Sequence, residues 1–448
     1  MSKFLPLWNN LRSSLWFVPG VMVTCAVVVA TLLIEIDARV DPELLAKWPR
    51  LFGAGADGAR GMLSAIAGSM ITVAGVTFSI TIVALSLASS QYTPRILRNF
   101  MGDRTNQLVL GFFVGIFAYC LVVLRTIRGG DEGRFIPSLA VAFGFVLALV
   151  GIGVLILFIH HIASSIQASS LISSAADETL RAVKNLFPKE LGEGQEEKEE
   201  KQAIPEVDSW RAVPALTTGY VQSMDTKAIF SLAEKLDTVV KMERAIGEFV
   251  VEQSPLVSLA TEKLLDESQI QQINDAFSIS RRRTVEQDVS FGIMQLVDIA
   301  LKALSPGIND TTTALTCIDY LGAVLAELAH RRIETGLPDG NQPRVTARGP
   351  TFTQLVAAAF DQIRLSAGGN VAVLSRLILS IQVMAGRTQS RARKRILLQH
   401  LHLVMNVASK TIDAAYDRGQ IETEFERALV LLGEPPQSLS VSARQKGS

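Results

Sequence analysis

The sequence predicts a mainly α-helical membrane protein: four transmembrane helices, then a cytoplasmic α+β region with a small β-barrel-like module and a helical domain. Three observations predict it. Apolar residues make up 48% of the 448 residues and are concentrated in the first third, in runs long enough for a bilayer core of roughly 30 Å. Residues 204–259 turn to β-branched and aromatic runs bounded by Pro and Gly. Helical periodicity then holds from Leu264 to Leu432.

The first run, residues 15–34, follows Lys3 and Arg12 and is of spanning length. A basic start also suits a secretory leader, but Glu35, Ile36 and Asp37 follow directly where a small-residue cleavage site would stand, so a retained span is expected. In the polar loop 37–60, Gly53, Gly55 and Gly58 match GxGxxG only by accident, since no strand precedes them. The second span, 61–94, holds no ionisable side chain, and as one helix it would run about 50 Å. Within it Gly61, Ala65, Gly68, Thr72, Gly75, Ser79, Ile82, Ser86, Ser89 and Thr93 recur at steps of four and three, along one helix face. All but Ile82 are small or hydroxylated. Such a stripe facing another helix permits close approach and interhelical hydrogen bonds; facing water it lines a polar path. Both readings stand, and Gly68, Thr72, Gly75, Ser79, Ile82, Ser86 and Ser89 are the pore-lining candidates.

Pro94 limits that helix, and Arg95 and Arg98 fall at headgroup level. The third span, 108–124, carries Gly111 and Gly115, a small-xxx-small pair suited to packing. The fourth, 135–159, is expected to continue out of the membrane as an amphipathic helix through His160 and His161. A tandem histidine at a membrane exit can sense pH or simply be amphipathic, and no third ligand stands at metal spacing. Four spans put both termini on one side. Basic residues are balanced across the two sets of flanks, so they do not choose the side. The termini are placed in the cytoplasm because the large C-terminal part shows no export or disulfide signature.

A glutamate-rich run at 189–202 reads as a solvated linker. The expected domains are a four-helix transmembrane domain at 1–163, a juxtamembrane helix and linker at 164–203, the β module at 204–262, the helical domain at 263–433 and a disordered tail at 434–448. In the β module, strands at 213–222 and 247–259 flank a helix at 226–236. Gly247-Glu-Phe-Val and Pro255-Leu make it similar to a biotinyl/lipoyl-like barrel. The glycine expected near Gln253 is missing, and neither Lys227 nor Lys241 sits in an attachment hairpin, so the module is read as structural, without a prosthetic group. In the helical part, Pro306 and Gly307 end one helix and Asn309 or Asp310 can cap the next. Ser305, Asn309, Asp310 and Thr311 are structural-turn or ligand candidates. They form either a capped interhelical turn, expected to be buried between apolar helix faces, or a set of oxygens for a cation. Arg281, Arg282 and Arg283 form a basic cluster that is either a solvated helix start or a contact for lipid headgroups or the acidic linker.

Phe291-Gly-Ile-Met-Gln-Leu-Val-Asp-Ile-Ala-Leu-Lys-Ala-Leu-Ser-Pro-Gly-Ile-Asn-Asp310 resembles a signature of an uncharacterised bacterial family of predicted membrane proteins. Ser90-Gln-Tyr-Thr-Pro-Arg95, Phe158-Ile-His-His-Ile-Ala163 and Gly219-Tyr-Val-Gln-Ser-Met-Asp225 agree with it. The resemblance covers nearly the whole chain, with Thr311 where the family has proline. It implies four spans and a cytoplasmic portion in a bacterial inner membrane, and it supplies no catalytic residues.

Lys and Arg number 43, as do Asp and Glu, so the formal charge is zero and nothing global argues for nucleic acid. Cys25, Cys120 and Cys317 offer no disulfide framework or thiolate metal site. No P-loop, HExxH or nucleophile elbow is present. No enzyme, metal or cofactor is therefore expected. The expected function is a homo-oligomeric ion channel or transporter-like conduit lined by the second span, with a cytoplasmic regulatory domain. Its expected partners are membrane lipid, further copies of itself and small ions. The alternative is a non-conducting membrane scaffold or sensor that binds a partner or ligand through its cytoplasmic part.

Overall fold

The computed structural model describes residues 16–39, 55–91, 103–129, 135–165, 167–189, 191, 209–333, 344–346 and 348–435. The chain is mainly helical and divides into two compact units after Ser170. The expected tail beyond Pro435 and the loop 334–343 lie outside the described residues.

Among the described residues the first unit holds α1 (Phe17–Asp37), α2 (Ala56–Gln91), α3 (Arg104–Thr126) and α4 (Ser138–Ser165). All four are long and apolar enough to cross a membrane. Helix α3 packs against each of the other three. The two glycines on it admit α1: a Cβ at Gly111 would lie 2.9 Å from the Pro19 Cα and 2.7 Å from the Met22 sulfur, and one at Gly115 would lie 3.6 Å from the Ala26 Cβ. The register rises on both helices, so α1 and α3 run parallel, as an up-down-up chain path requires. Leu63, Phe113, Tyr119, Val123 and Phe158 form the center of this core. One end of the bundle is tied by polar contacts. Both Asp37 carboxylate oxygens accept at 3.0 Å from the backbone N–H groups of Leu139 and Ala140, so the last residue of α1 satisfies free donors at the start of α4. The Tyr119 hydroxyl donates to the Ala140 carbonyl at 2.7 Å and Arg60 donates to the Ile127 carbonyl at 2.8 Å.

Helix α5 (Ala168–Leu186) leads into the second unit. It is followed by β1 (Arg211–Pro214), β2 (Gly219–Met224), α6 (Thr226–Lys235), β3 (Val240–Met242), β4 (Phe249–Val250), β5 (Pro255–Leu259), α7 (Glu267–Asp275) and β6 (Phe277–Ser280). A late strand, β7 (Val345–Thr346), pairs parallel to β3. The strands make two sheets, ordered β1-β5-β3-β7 and β4-β2-β6, over a shared core that includes Val221, Met242, Val250, Leu256, Leu259, Ile273 and Val345. The expected barrel is thus corrected: no closed barrel forms among the described residues. The strands run two to six residues, and each sheet ends in unpaired edges instead of curling onto the other. Gln253 adopts φ +66°, the left-handed conformation for which a glycine was expected at that turn.

The helical part comprises α8 (Val289–Ala303), α9 (Thr311–Ala329), α10 (Phe352–Ser366), α11 (Val371–Arg387), α12 (Arg391–Thr411) and α13 (Ala415–Leu432). Side chains cap five of these starts: Asp288, Asp310, Thr351 in a capping box with Gln354, Asn370 and Ser390. Gly433, at φ +85°, closes α13. Helix α9 is a fifth helix of spanning length and composition. Its Leu321, Val324, Leu325 and Leu328 are fully buried, and it packs on α8, α10 and α11, so its apolarity builds this core. Arg393 is also fully buried; its guanidinium donates to the Leu328 carbonyl at 2.7 Å and lies 4.9 Å from the Phe352 ring centroid. Helix α5 docks on α8 where Gly292 meets Thr179, whose side chain fills the place a Cβ on Gly292 would need.

Candidate functional site

The buried face of α2 is Ala59, Leu63, Ile66, Ala67, Met70, Ala74, Thr77 and Ala84. The small-residue stripe lies elsewhere on the helix. Gly61, Ala65, Gly68, Thr72, Gly75, Ser79, Ile82 and Ser86 are all exposed in the single chain. Among the described residues, a Cβ at Gly61, Gly68 or Gly75 would meet nothing within 4 Å. Exposed Ile71, Val76, Phe78 and Val83 border the stripe. The Thr72 hydroxyl donates to the Gly68 carbonyl at 2.8 Å, so its own helix satisfies it. The side chain of Ser89 lies outside the described residues, as do Arg95 and Arg98.

At the other end of the bundle from Asp37, the start of α3 meets the end of α4. Asp103 caps α3 by accepting from the Thr105 N–H at 2.8 Å, and its second oxygen pairs with the Nε2 of His161. His160 is exposed. Of the two candidate histidines, His161 therefore makes this cross-helix contact. Asp103 escapes sequence reading because an aspartate before a helix reads as a local cap, and its partner stands 58 positions away. One turn on, Asn106 is 4% exposed, and among the described residues neither carboxamide atom has a hydrogen-bond partner.

The turn at 305–313 forms as a capped interhelical turn. Asp310 is the cap, accepting from the Thr313 N–H at 3.0 Å and from its hydroxyl at 2.6 Å. Those bonds hold its carboxyl below the usual aspartate range. The expected burial is corrected: residues 306 through 310 are exposed, because Ala303 and Ala314 end the buried faces on either side. Asn309 takes φ +49°, and the Thr311 hydroxyl accepts from the Asn370 carboxamide at 3.1 Å, tying the starts of α9 and α11 together. Replacing Asp310 by Ala is expected to cost about 1 kcal/mol, the worth of an N-cap. A thermal melt of the variant that overlays the wild type would remove the capping role.

The Arg281–Arg283 cluster divides. Arg283 reaches inward to Asp288, at 2.8 Å from Nε and 2.7 Å from Nη2, and stacks on Phe291 at 5.2 Å. Asp288 also caps α8 through the Phe291 N–H. Burial pushes the Asp288 carboxyl up, and Arg283 pulls against that shift. Gly247, at φ +88°, packs where a Cβ would strike the Asp288 carboxylate. The ion pair closes the link from β6 into α8, and the turn before β4 packs against it at Gly247. Among the described residues no group of three or more His, Cys, Asp or Glu side chains is placed to hold a metal.

Residues 12–382 match the model of the family described as predicted membrane protein, DUF2254. Uncharacterized proteins of Mycobacterium bovis and Mycobacterium tuberculosis are 31% identical over 396 residues, covering 84% of this chain and 73% of each relative. No solved structure matches. The match spans the apolar first unit and most of the second, and the chain belongs to this family of predicted membrane proteins.

Proposed function

We propose that the chain is a four-span protein of a bacterial inner membrane with cytoplasmic termini, that copies of it assemble through the α2 stripe, and that the assembly conducts small ions. The second unit is its regulatory domain. One observation carries the reading: the small and hydroxylated face of α2 is exposed, and among the described residues nothing would lie within 4 Å of a Cβ at Gly61, Gly68 or Gly75. Lipid gains little from such a face, whereas a second copy can approach closely along it. Helix α2 has 36 residues, about 54 Å at helical rise, so it outruns the hydrocarbon core. A ring of such helices would bring Ser79 and Ser86 to a common axis. Ser79→Leu or Ser86→Leu should abolish ion flux through reconstituted bilayers. Wild-type protein silent in every ionic condition would end the conduit reading.

The Thr72 back-bond supports a second reading, in which the stripe is a dry seam of a non-conducting scaffold. That reading expects Gly68→Leu to dissociate the oligomer in native mass spectrometry, with no flux to lose.

A further inference from the structure

Five basic residues crowd the corner between α11 and α12: Arg387, Arg391, Arg393, Lys394 and Arg395. Arg393 is turned inward and pins the start of α12 to α9. The other four are exposed or half-exposed. Among the described residues none of these four makes an ion pair or a side-chain hydrogen bond. The carboxylate at the facing end of α9, Glu327, is already held by Arg331 at 2.7 Å.

This arrangement works against its own helix. Cations in a first turn oppose the helix dipole, and like charges four residues apart repel. Arg391 and Arg395 are such a pair, and Lys394 adds to the same face. Each effect costs a few tenths of a kcal/mol, and no local partner offsets it. Charges kept where the fold disfavours them point to a ligand that supplies the missing countercharge. Arginine forks recognise phosphate oxygens bidentately, and a lysine adds a point charge. We propose that the α11–α12 corner is a binding site for a phosphate-bearing ligand, contacted by Arg387, Arg391, Lys394 and Arg395 on a frame fixed by buried Arg393. The phosphate comes from a soluble compound or from a lipid headgroup.

The test uses full-length protein in a neutral detergent at about 0.15 M salt, where long-range attraction is screened. Inorganic tripolyphosphate and dioctanoyl phosphatidic acid are titrated separately. The triple variant Arg391→Gln, Lys394→Gln, Arg395→Gln should bind both probes roughly tenfold or more weakly. A control that removes three remote charges, Lys227→Gln, Lys235→Gln and Lys263→Gln, should bind like wild type. The tighter probe identifies the source of the phosphate. Without ligand, the triple variant should melt at the wild-type temperature or above it, since the repulsion is gone. The milder pair Arg391→Gln, Arg395→Gln should shift binding the same way. Equal losses in the triple variant and the control, no binding by wild type, or a lowered melt of the triple variant without ligand would each overturn the site.

Discussion

Asp288→Asn should destabilise the second unit by about 3 kcal/mol, the cost of leaving the half-buried Arg283 guanidinium without its partner. Asparagine can still cap α8, so the loss isolates the Arg283 interaction. The side chain of Asp288 is 4% exposed and that of Arg283 is 19% exposed, so water cannot readily replace the lost carboxylate. Asp288→Ala should cost about 1 kcal/mol more, because the cap is lost as well. Arg283→Met in the Asn background should recover much of the first loss, since no buried charge then remains. Denaturant midpoints of the three variants measure this. If Asp288→Asn unfolds with the wild-type midpoint, the pair does not stabilise the second unit.

The second large effect concerns the seat of α5. In an exposed helix, Gly→Ala gains up to about 1 kcal/mol of propensity. Gly292→Ala should instead cost roughly 2 kcal/mol, because the Thr179 side chain occupies the space of the new methyl. Thr179 is itself fully buried and donates to the Ala175 carbonyl at 2.7 Å, so it has no easy retreat. Thr179→Ala alone should cost about 1 kcal/mol, and the double variant should be more stable than Gly292→Ala. Additive losses would show that the two residues do not share this contact.

Much of the fold was legible where the signal is local. The four apolar runs became α1 to α4 with ends shifted by a few residues, and the Gly111–Gly115 pair packs as its spacing suggests. Asp310 was readable as a cap because capping spans three residues. What sequence could not supply was pairing between distant positions. Asp37 closes an apolar run and looks like its hydrophilic end, yet its partners are Leu139 and Ala140. Arg283 looks like one member of a solvated triplet until Gly247, 36 positions earlier, packs against its pair with Asp288 and helps bury it. The burial expected for the turn at 305–313 failed for a related reason. Apolar residues on both flanks show that two helices meet a core, but not where their connection emerges. The stripe on α2 was readable as a face, whereas its outward direction depended on which other face of α2 the remaining helices had taken.

The parallel pairing of β7 with β3 bears on how the chain is made. Lys241 and Thr346 lie about a hundred positions apart, so β3 leaves the ribosome long before the strand that covers its edge. During that interval Val240 and Met242 belong to a sheet with an unprotected margin, the kind of edge that recruits other chains. Closing so long a loop is slow compared with forming α8 and α9, whose contacts are nearer in sequence. Nascent chains halted before residue 345 should therefore bind chaperones and resist release, and chains extended past it should be freed.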